Sequence, residues 1–486
     1  MSSLLPPHET AVASSGALEP VELPPPSPLE RFAQRATAWA ETWMPDAFVF
    51  ALAATCIVVL AAFVVDPAAR AAPMRVVDAW GKGFWILIPF TLQMSMIIIG
   101  GYVLASSPPI FRLITRLAGV PRTAKGAVLM VAVAAMLSSL LNWGFSLIFS
   151  AILAREVARR VPAADYRALG ASAFLGLGTV WAQGLSGSAA LQMASPTSMP
   201  PKLSELLGGT IPLTETIFRW QSLVCVLIEI GVVSGVVWLY APREGRARTA
   251  ASLGIDLGPA EPLPLPPAKV PGEKLEQTPI LLLPVVFLGF LYVGNSLLSR
   301  AHNLTEALNA LDFNTINLLL LMLGGLLHWT PASLMRAVKE ATPAVWGVLL
   351  QFPFYAGIFG VMTGTALSAS IASVFVHASS QVWYPALIVL YSAVLGMFVP
   401  SGGSKWVIEA PYVLEAARTL GVPDGWMVVT YDLGEAIANL LQPFWMLPIL
   451  ALLGLKARDI MGYTYLVALV LIPLVVLLVT VFNPAL

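Results

Sequence analysis

Apolar residues fall along this chain in long blocks, each on the scale of a membrane-spanning helix. A bilayer core of roughly 30 Å is crossed by about 20 apolar residues in a helix. Blocks of that kind cover 47–65, 83–105, 124–142, 168–190, 217–240, 279–298, 313–328, 341–364, 383–399, 426–453 and 460–482. The pattern predicts an all-α, polytopic membrane protein with eleven candidate segments, some of them short.

Composition agrees. Of 486 residues, 57% are hydrophobic and 11% are charged, where a soluble domain carries about 25% charged residues. That excludes an ordinary cytosolic enzyme, a nucleic-acid binder and a disordered scaffold. Lys+Arg and Asp+Glu are equal at 27 each, so net charge steers no partner. Cys56 and Cys225 lie in apolar runs and read as small buried hydrophobes.

Polar segments divide the chain. Residues 1–30 read as a disordered proline-rich tail with no Lys or Arg, so they lack the start of a cleaved signal. An amphipathic stretch at 31–43 suits the membrane interface. Arg243, Arg246 and Arg248, then a run of prolines from Pro259 to Pro271, mark 241–278 as a solvated cytoplasmic linker between a first membrane half, 31–240, and a second, 279–486. Cytoplasmic loops carry the excess of Lys and Arg. The basic loops around 112–125, 155–167, 241–278, 336–339 and 456–458 share one side only if 143–154 and 401–418 return the chain as broken or re-entrant pieces. Loop 66–82, with Arg70, Arg75 and Lys82, then goes against the rule.

The halves also share residues. Met74-Arg75 recurs as Met335-Arg336, and Leu92-Gln93 as Leu350-Gln351. Gly144, Ala151, Glu156, Ala158 and Arg159 recur as Gly403, Ala410, Glu415, Ala417 and Arg418, so the three offsets are 261, 258 and 259. An odd number of crossings between them makes the repeats inverted, a build of secondary transporters with the site at the midplane.

The candidate chemistry lies at breaks in the apolar blocks. These are Asn142 to Ser146, Gly184 to Ser188, Pro400 to Trp406, and Glu435 to Pro443. Irregular backbone at membrane depth is tolerated only against protein or a water-filled cavity. Amides at a half-helix start bind an anion, and freed carbonyls at its end bind a cation. Small residues also simply permit close helix packing. Lys405 stands in one break, where its ammonium faces a carboxylate substrate or pairs with Glu409 at i,i+4. Glu435, Asn439 and Gln442 share a helix face and read as an oxygen shell for Na⁺ or a protonation site. Glu229 sits mid-segment without an evident partner. Gln93 and Gln351 either bond between helices or line a polar path. His302, His328 and His377 read as solvated or interfacial and show no metal-ligand spacing. The 14 tryptophans mostly flank apolar runs, as interfacial anchors do.

Several of these stretches resemble the short-chain fatty acid transporter family. They are Asn142-Trp143-Gly144-Phe145, Ala154 through Pro162, Ser186-Gly187-Ser188, Gln351 through Gly357, Val399-Pro400-Ser401-Gly402-Gly403, Gln442-Pro443-Phe444-Trp445 and Asp459 through Tyr463. The likeness spans about 40–480, leaving out the linker. It implies a multi-pass permease of the bacterial inner membrane, built from two inverted repeats with re-entrant helical hairpins and broken helices. The implied function is ion-coupled symport, by alternating access, of short-chain carboxylates such as acetoacetate or butyrate.

With the residue reading, it gives substrate-binding candidates Asn142, Gly144, Ser186, Gly187, Ser188, Gln351, Ser401, Gly402, Gly403, Ser404 and Lys405. Glu435, Asn439 and Gln442 are the coupling-ion candidates. Na⁺ or H⁺ is the expected coupling ion, with no other cofactor or metal. The expected partners are the substrate and the lipid bilayer, without nucleic acid, and a homodimer is allowed. The chain departs from the family pattern at Lys405, where His is common, at Glu409, where Gln is, and at Ala190, where Pro follows Ser-Gly-Ser. The extra charges leave a dicarboxylate or other organic-anion carrier as the alternative. No nucleotide-binding motif is present. Gly184-Leu185-Ser186-Gly187 also resembles the nucleophile motif of an intramembrane serine hydrolase, a remote reading because it needs a histidine base from His328 or His377.

Overall fold

The structure, a computed structural model, describes residues 47–242, 247–258, 264–399 and 401–486. The tail at 1–30, the interfacial stretch at 31–43, Arg243, Arg246, Pro259, Pro262 and Pro400 lie outside the described residues. Among the described residues the regular secondary structure is helical throughout.

Among the described residues, eight helices are long and apolar enough to cross a membrane. A ninth crossing is formed if Asp424–Leu441 and Phe444–Leu453, bent by 72° to each other, count as one broken span. The eleven segments read from hydropathy are therefore corrected. Phe313–His328 and Tyr384–Gly396 are shorter apolar helices, and a further one, Leu367–Ala378, was not foreseen. Hydropathy also passed over two full helices, Trp143–Arg160 and Gly402–Leu420. Both are packed inside the protein, so they carry polar and charged groups that lipid would reject.

Local signals start and stop these helices. Thr123 caps Ala124–Leu141 through Gly126 N, and Asp165 caps Tyr166–Gly178 through Ala168 N at 2.9 Å. Gly421 and Gly454, at φ 76° and 67°, end their helices in the left-handed region that only glycine enters freely. Met74–Gly83 is a short amphipathic helix, which accounts for the loop that broke the charge rule: Arg75 and Lys82 lie on its exposed side.

Helix order repeats along the chain. Helices beginning at Met74, Ile88, Ala124, Trp143, Tyr166 and Ser188 recur at Pro331, Trp346, Tyr384, Gly402, Asp424 and Leu447, at offsets of 257 to 260. Packing repeats with it. Ala124–Leu141 lies against Tyr166–Gly178 as Tyr384–Gly396 lies against Asp424–Leu441. Ile88–Ala105 lies against Trp143–Arg160 as Trp346–Gly364 lies against Gly402–Leu420. The halves interlock, with Gly402–Leu420 touching Ser188–Ala194. Phe48–Val65 and Leu282–Ser299 stay peripheral, each with 11% of its span buried.

Three further readings change. Part of the linker is docked, since Arg159 donates to the carbonyls of Leu257 and Gly258 and Arg248 N donates to Asp165 at 2.8 Å. Cys56 lies on the exposed face of its helix, and only Cys225 is buried. Trp143, Trp181, Trp406 and Trp426 are buried, whereas the exposed Trp85, Trp220 and Trp383 fit the interfacial reading.

Candidate functional site

The breaks of both halves meet in the middle of the protein. In the first half the chain passes from one helix to the next through Asn142, an extended residue at φ −160°, ψ 127°. Its Oδ1 accepts from Phe145 N at 2.7 Å, and the Ser186 hydroxyl accepts from Trp143 N at 2.9 Å. Asn142 and Ser186 thus satisfy the start of Trp143–Arg160. Gly101 lets a third helix approach, because a Cβ there would stand 2.4 Å from Asn142 Oδ1.

The second half differs. Ser401 is extended, at φ −150°, ψ 92°, and no side chain caps Gly402–Leu420. The Ser401 hydroxyl accepts from Ser404 instead. Beside this open helix start is an inner cavity of about 20 Å³, lined by Ser188, Ser401, Gly402, Gly403 and Asn439. That is room for about one water-sized group. The glycines are needed for the close fit, since a Cβ at Gly403 would lie 2.3 Å from Phe90 Cζ and one at Gly187 would lie 2.1 Å from the Ala182 carbonyl oxygen.

An outer cavity of about 280 Å³ shares Trp143, Phe352, Ser401 and Trp445 with the inner one. Its walls are mostly apolar, with Gln351 and Ser401 among the few polar groups. Ile98 and Tyr102, in the second half of Ile88–Ala105, face this cavity, as do Trp346 and Gln351 at the start of Trp346–Gly364.

The cavities thus collect Gly144, Ser188, Gln351, Ser401, Gly402, Gly403 and Asn439 from the sequence-derived candidates. Asn142, Ser186, Gly187 and Ser404 support the breaks from behind. Lys405 and Glu435 line neither cavity. The Lys405 ammonium stands 2.6 Å from Glu435 Oε2 and 3.7 Å from Glu409 Oε1. It donates to the Ser392 carbonyl and hydroxyl at 2.8 and 3.0 Å and lies 4.9 Å from the Tyr431 ring centre. Glu435, Asn439 and Gln442 do not close into one oxygen shell. Glu435 pairs with Lys405, Asn439 Nδ2 donates to the Leu177 carbonyl at 3.2 Å, and Gln442 donates to Asn439 at 3.1 Å.

Ser392, Gly396 and Tyr431 escaped the sequence reading. A Cβ at Gly396 would meet Glu435 Oε2 at 2.8 Å and Lys405 Nζ at 3.3 Å. The available signal was small residues at i,i+4 in a bulky apolar helix, which mark a close approach. Glu229 has a partner after all, the Gln183 amide at 2.9 Å.

A family model described as short chain fatty acid transporter matches residues 28–483. The chain belongs to this family. The transporter is 36% identical over 436 residues to an Escherichia coli (strain K12) protein bearing the same family name, covering 89% of this chain and 95% of that one. A Haemophilus influenzae relative of the same name is 32% identical over 438 residues, covering 90% and 96%. Two solved structures share the fold at 15% identity. The Alcanivorax borkumensis YdaH transporter has a TM-score of 0.55, with 91% of this chain and 100% of that chain covered. Neisseria gonorrhoeae MtrF, from a class of antimetabolite efflux pumps, has a TM-score of 0.58, with 93% and 98% covered.

The family is one of transporters, so the serine hydrolase reading falls. The geometry agrees, because the Ser186 hydroxyl is engaged by Trp143 N. His328 is not interfacial as expected: it is buried between Ser333 Oγ and the Val103 carbonyl, both at 2.8 Å. His377 is exposed and bonds within its own helix.

Proposed function

We propose that the transporter carries short-chain monocarboxylates such as butyrate or acetoacetate across a bacterial inner membrane, driven by an ion gradient through alternating access. The observation that carries this reading is the junction of the aromatic outer cavity with the uncapped start of Gly402–Leu420. A short alkyl chain suits Trp143, Phe352 and Trp445, and a carboxylate suits the Gly402 and Gly403 amides with the Ser401 and Ser188 hydroxyls. The inner cavity is too small for a whole substrate, as expected of a state closed at the breaks.

Inverted repeats fit the same picture. Ile88–Ala105 and Trp346–Gly364 are equivalent in the repeat, yet one faces the outer cavity with its second half and the other with its first. Equivalent helices running in opposite senses around a shared site are the build of alternating-access carriers. A dicarboxylate carrier is disfavoured because Lys405, the cation that would hold a second carboxylate, is engaged by Glu435.

Uptake of labelled butyrate, acetoacetate and succinate into proteoliposomes tests the reading. Butyrate and acetoacetate are expected to exchange across the membrane above protein-free liposomes, and succinate is not. Succinate uptake without butyrate uptake would overturn it.

A further inference from the structure

Behind the second break lies a group of charges that substrate binding does not use. Lys405 and Glu409 from Gly402–Leu420 and Asp432 and Glu435 from Asp424–Leu441 are each no more than 1% exposed. Two carboxylates, Glu435 and Glu409, thus flank one ammonium, and a third, Asp432, is buried one helical turn before Glu435. Lys405 is 2.6 Å from Glu435 but 3.7 Å from Glu409, beyond hydrogen-bond length. Neither Glu409 oxygen has a hydrogen-bond partner among the described residues. The Asp432 oxygens likewise have no hydrogen-bond partner among the described residues, but Asp432 also lacks an ion pair to Lys405 of the kind Glu409 has. The group's other polar neighbours are Ser392, which accepts from Lys405, and the phenols of Tyr384 and Tyr391 from Tyr384–Gly396, Tyr412 beside Glu409, and Tyr431.

Charge accounting decides what such a group holds. An ionised carboxylate in a dry interior costs several kcal/mol unless a cation and hydrogen bonds compensate it. Lys405 compensates Glu435 at contact distance, and Glu409 is left with the longer 3.7 Å ion pair and no hydrogen bond among the described residues. Between Glu409 and Glu435 the place of a cation is filled by the Lys405 ammonium.

We propose that Lys405 is a tethered cation occupying the position a coupling sodium ion would take, and that Glu409 carries the coupled proton. This rests on the transport reading above and adds the identity of the ion. On the side where substrate enters, a hydronium ion breaks one O–H bond to give its proton to the Glu409 carboxylate, and the new carboxyl O–H bond breaks on the other side. The proton leaves to water there, and the carboxylate left behind is held by Lys405 until it is protonated again. Substrate and proton are linked through Gly402, because a Cβ on that residue would be 3.1 Å from Glu435 Cγ. A carboxylate at the Gly402 amides therefore lies beside the cluster, and its negative charge favours the protonated form.

Two measurements on the full-length transporter test this. Infrared spectra at neutral pH without substrate are expected to show a carboxylic-acid carbonyl band that Glu409→Gln removes. Identical spectra would overturn the proposal whatever the substrate is. In proteoliposomes a gradient of one pH unit supports about a tenfold accumulation of a one-to-one cosubstrate, measured above protein-free liposomes. Wild type is expected to reach it without Na⁺, whereas in Glu409→Gln the accumulation is lost while exchange, which moves no net proton, persists measurably. Lys405→Ala is expected to become stimulated by Na⁺. The neutral pair Lys405→Met with Glu435→Gln controls for folding and is expected to lose the pH-driven accumulation. Wild-type uptake driven by Na⁺ alone, or full accumulation by Glu409→Gln, would overturn the proposal. Absence of any butyrate exchange by wild type would instead count against the transport reading, leaving the infrared result to decide the proton site.

Discussion

The Ser186 hydroxyl accepts a hydrogen bond from Trp143 N at 2.9 Å, so the second break of the first half holds the start of the helix that follows the first break. Both groups are buried. Ser186→Ala leaves the Trp143 N–H without that acceptor, which costs about 1–3 kcal/mol for a buried donor. The expected outcome is a lower melting temperature in detergent and slower uptake. An unchanged melting temperature would show that the two breaks are not held together by this bond.

Gly403 lies where Phe90 and Ser188 converge, its added Cβ falling 2.3 Å from Phe90 Cζ and 3.0 Å from Ser188 Cβ. Phe90 is itself stacked on Phe352, with centroids 5.5 Å apart. Gly403→Leu is therefore expected to abolish uptake while the protein still inserts, because its side chain displaces the ring and fills the inner cavity. Gly403→Ala should impair uptake less. Adding Phe90→Leu to Gly403→Ala should restore part of the loss, measured as initial uptake rate, by giving the new methyl room.

Gln93 and Gln351 occupy equivalent repeat positions but have different surroundings. Gln93 Nε2 donates to Asn314 Oδ1 at 2.9 Å and to Thr197 Oγ1 at 3.2 Å, whereas Gln351 faces the outer cavity. Gln93→Leu is expected to lower stability by about 0.5–1.5 kcal/mol, because the bonds from Gln93 to Asn314 and Thr197 are lost. Gln351→Leu is expected to raise the KM for butyrate several-fold with little change in melting temperature. The reverse pattern would place the substrate path on the other side of the protein.

These cases show what local pattern reveals and what it hides. The breaks could be read because Gly, Ser and Asn clusters interrupt apolar blocks, and chain-local chemistry is enough to mark them. The repeat could be read because Glu156 with Arg159 and Glu415 with Arg418 recur at one offset. The crossings could not be counted, since Trp143–Arg160 and Gly402–Leu420 are shielded by other helices and escape the hydropathy expected of lipid-facing segments. Partner choice also stayed hidden. Lys405 prefers Glu435, thirty positions away, to Glu409 one turn along, and only the packing of Gly402–Leu420 on Asp424–Leu441 brings that about. His328 was misread for the same reason, since its partner Val103 lies on a distant helix.

Asp66 gives a pH-dependent prediction outside the membrane-spanning helices. Its carboxyl is held below the usual carboxylate range, first by the Ala366 N–H at 3.1 Å and then by the Ala68 N–H at 2.8 Å. The first bond ties the start of Pro67–Ala71 to a turn in the second half; the second caps the same helix. A carboxyl depressed in the folded state stabilises above its unfolded value, near pH 4, and that contribution fades as pH falls through the folded value. Asp66→Asn keeps the shape but offers a weaker acceptor. At neutral pH the variant should melt below wild type, and the gap should narrow as the pH is lowered below about 4, where wild-type Asp66 becomes protonated. A gap that stays constant across that range would mean the Asp66 charge does not hold the two halves together there.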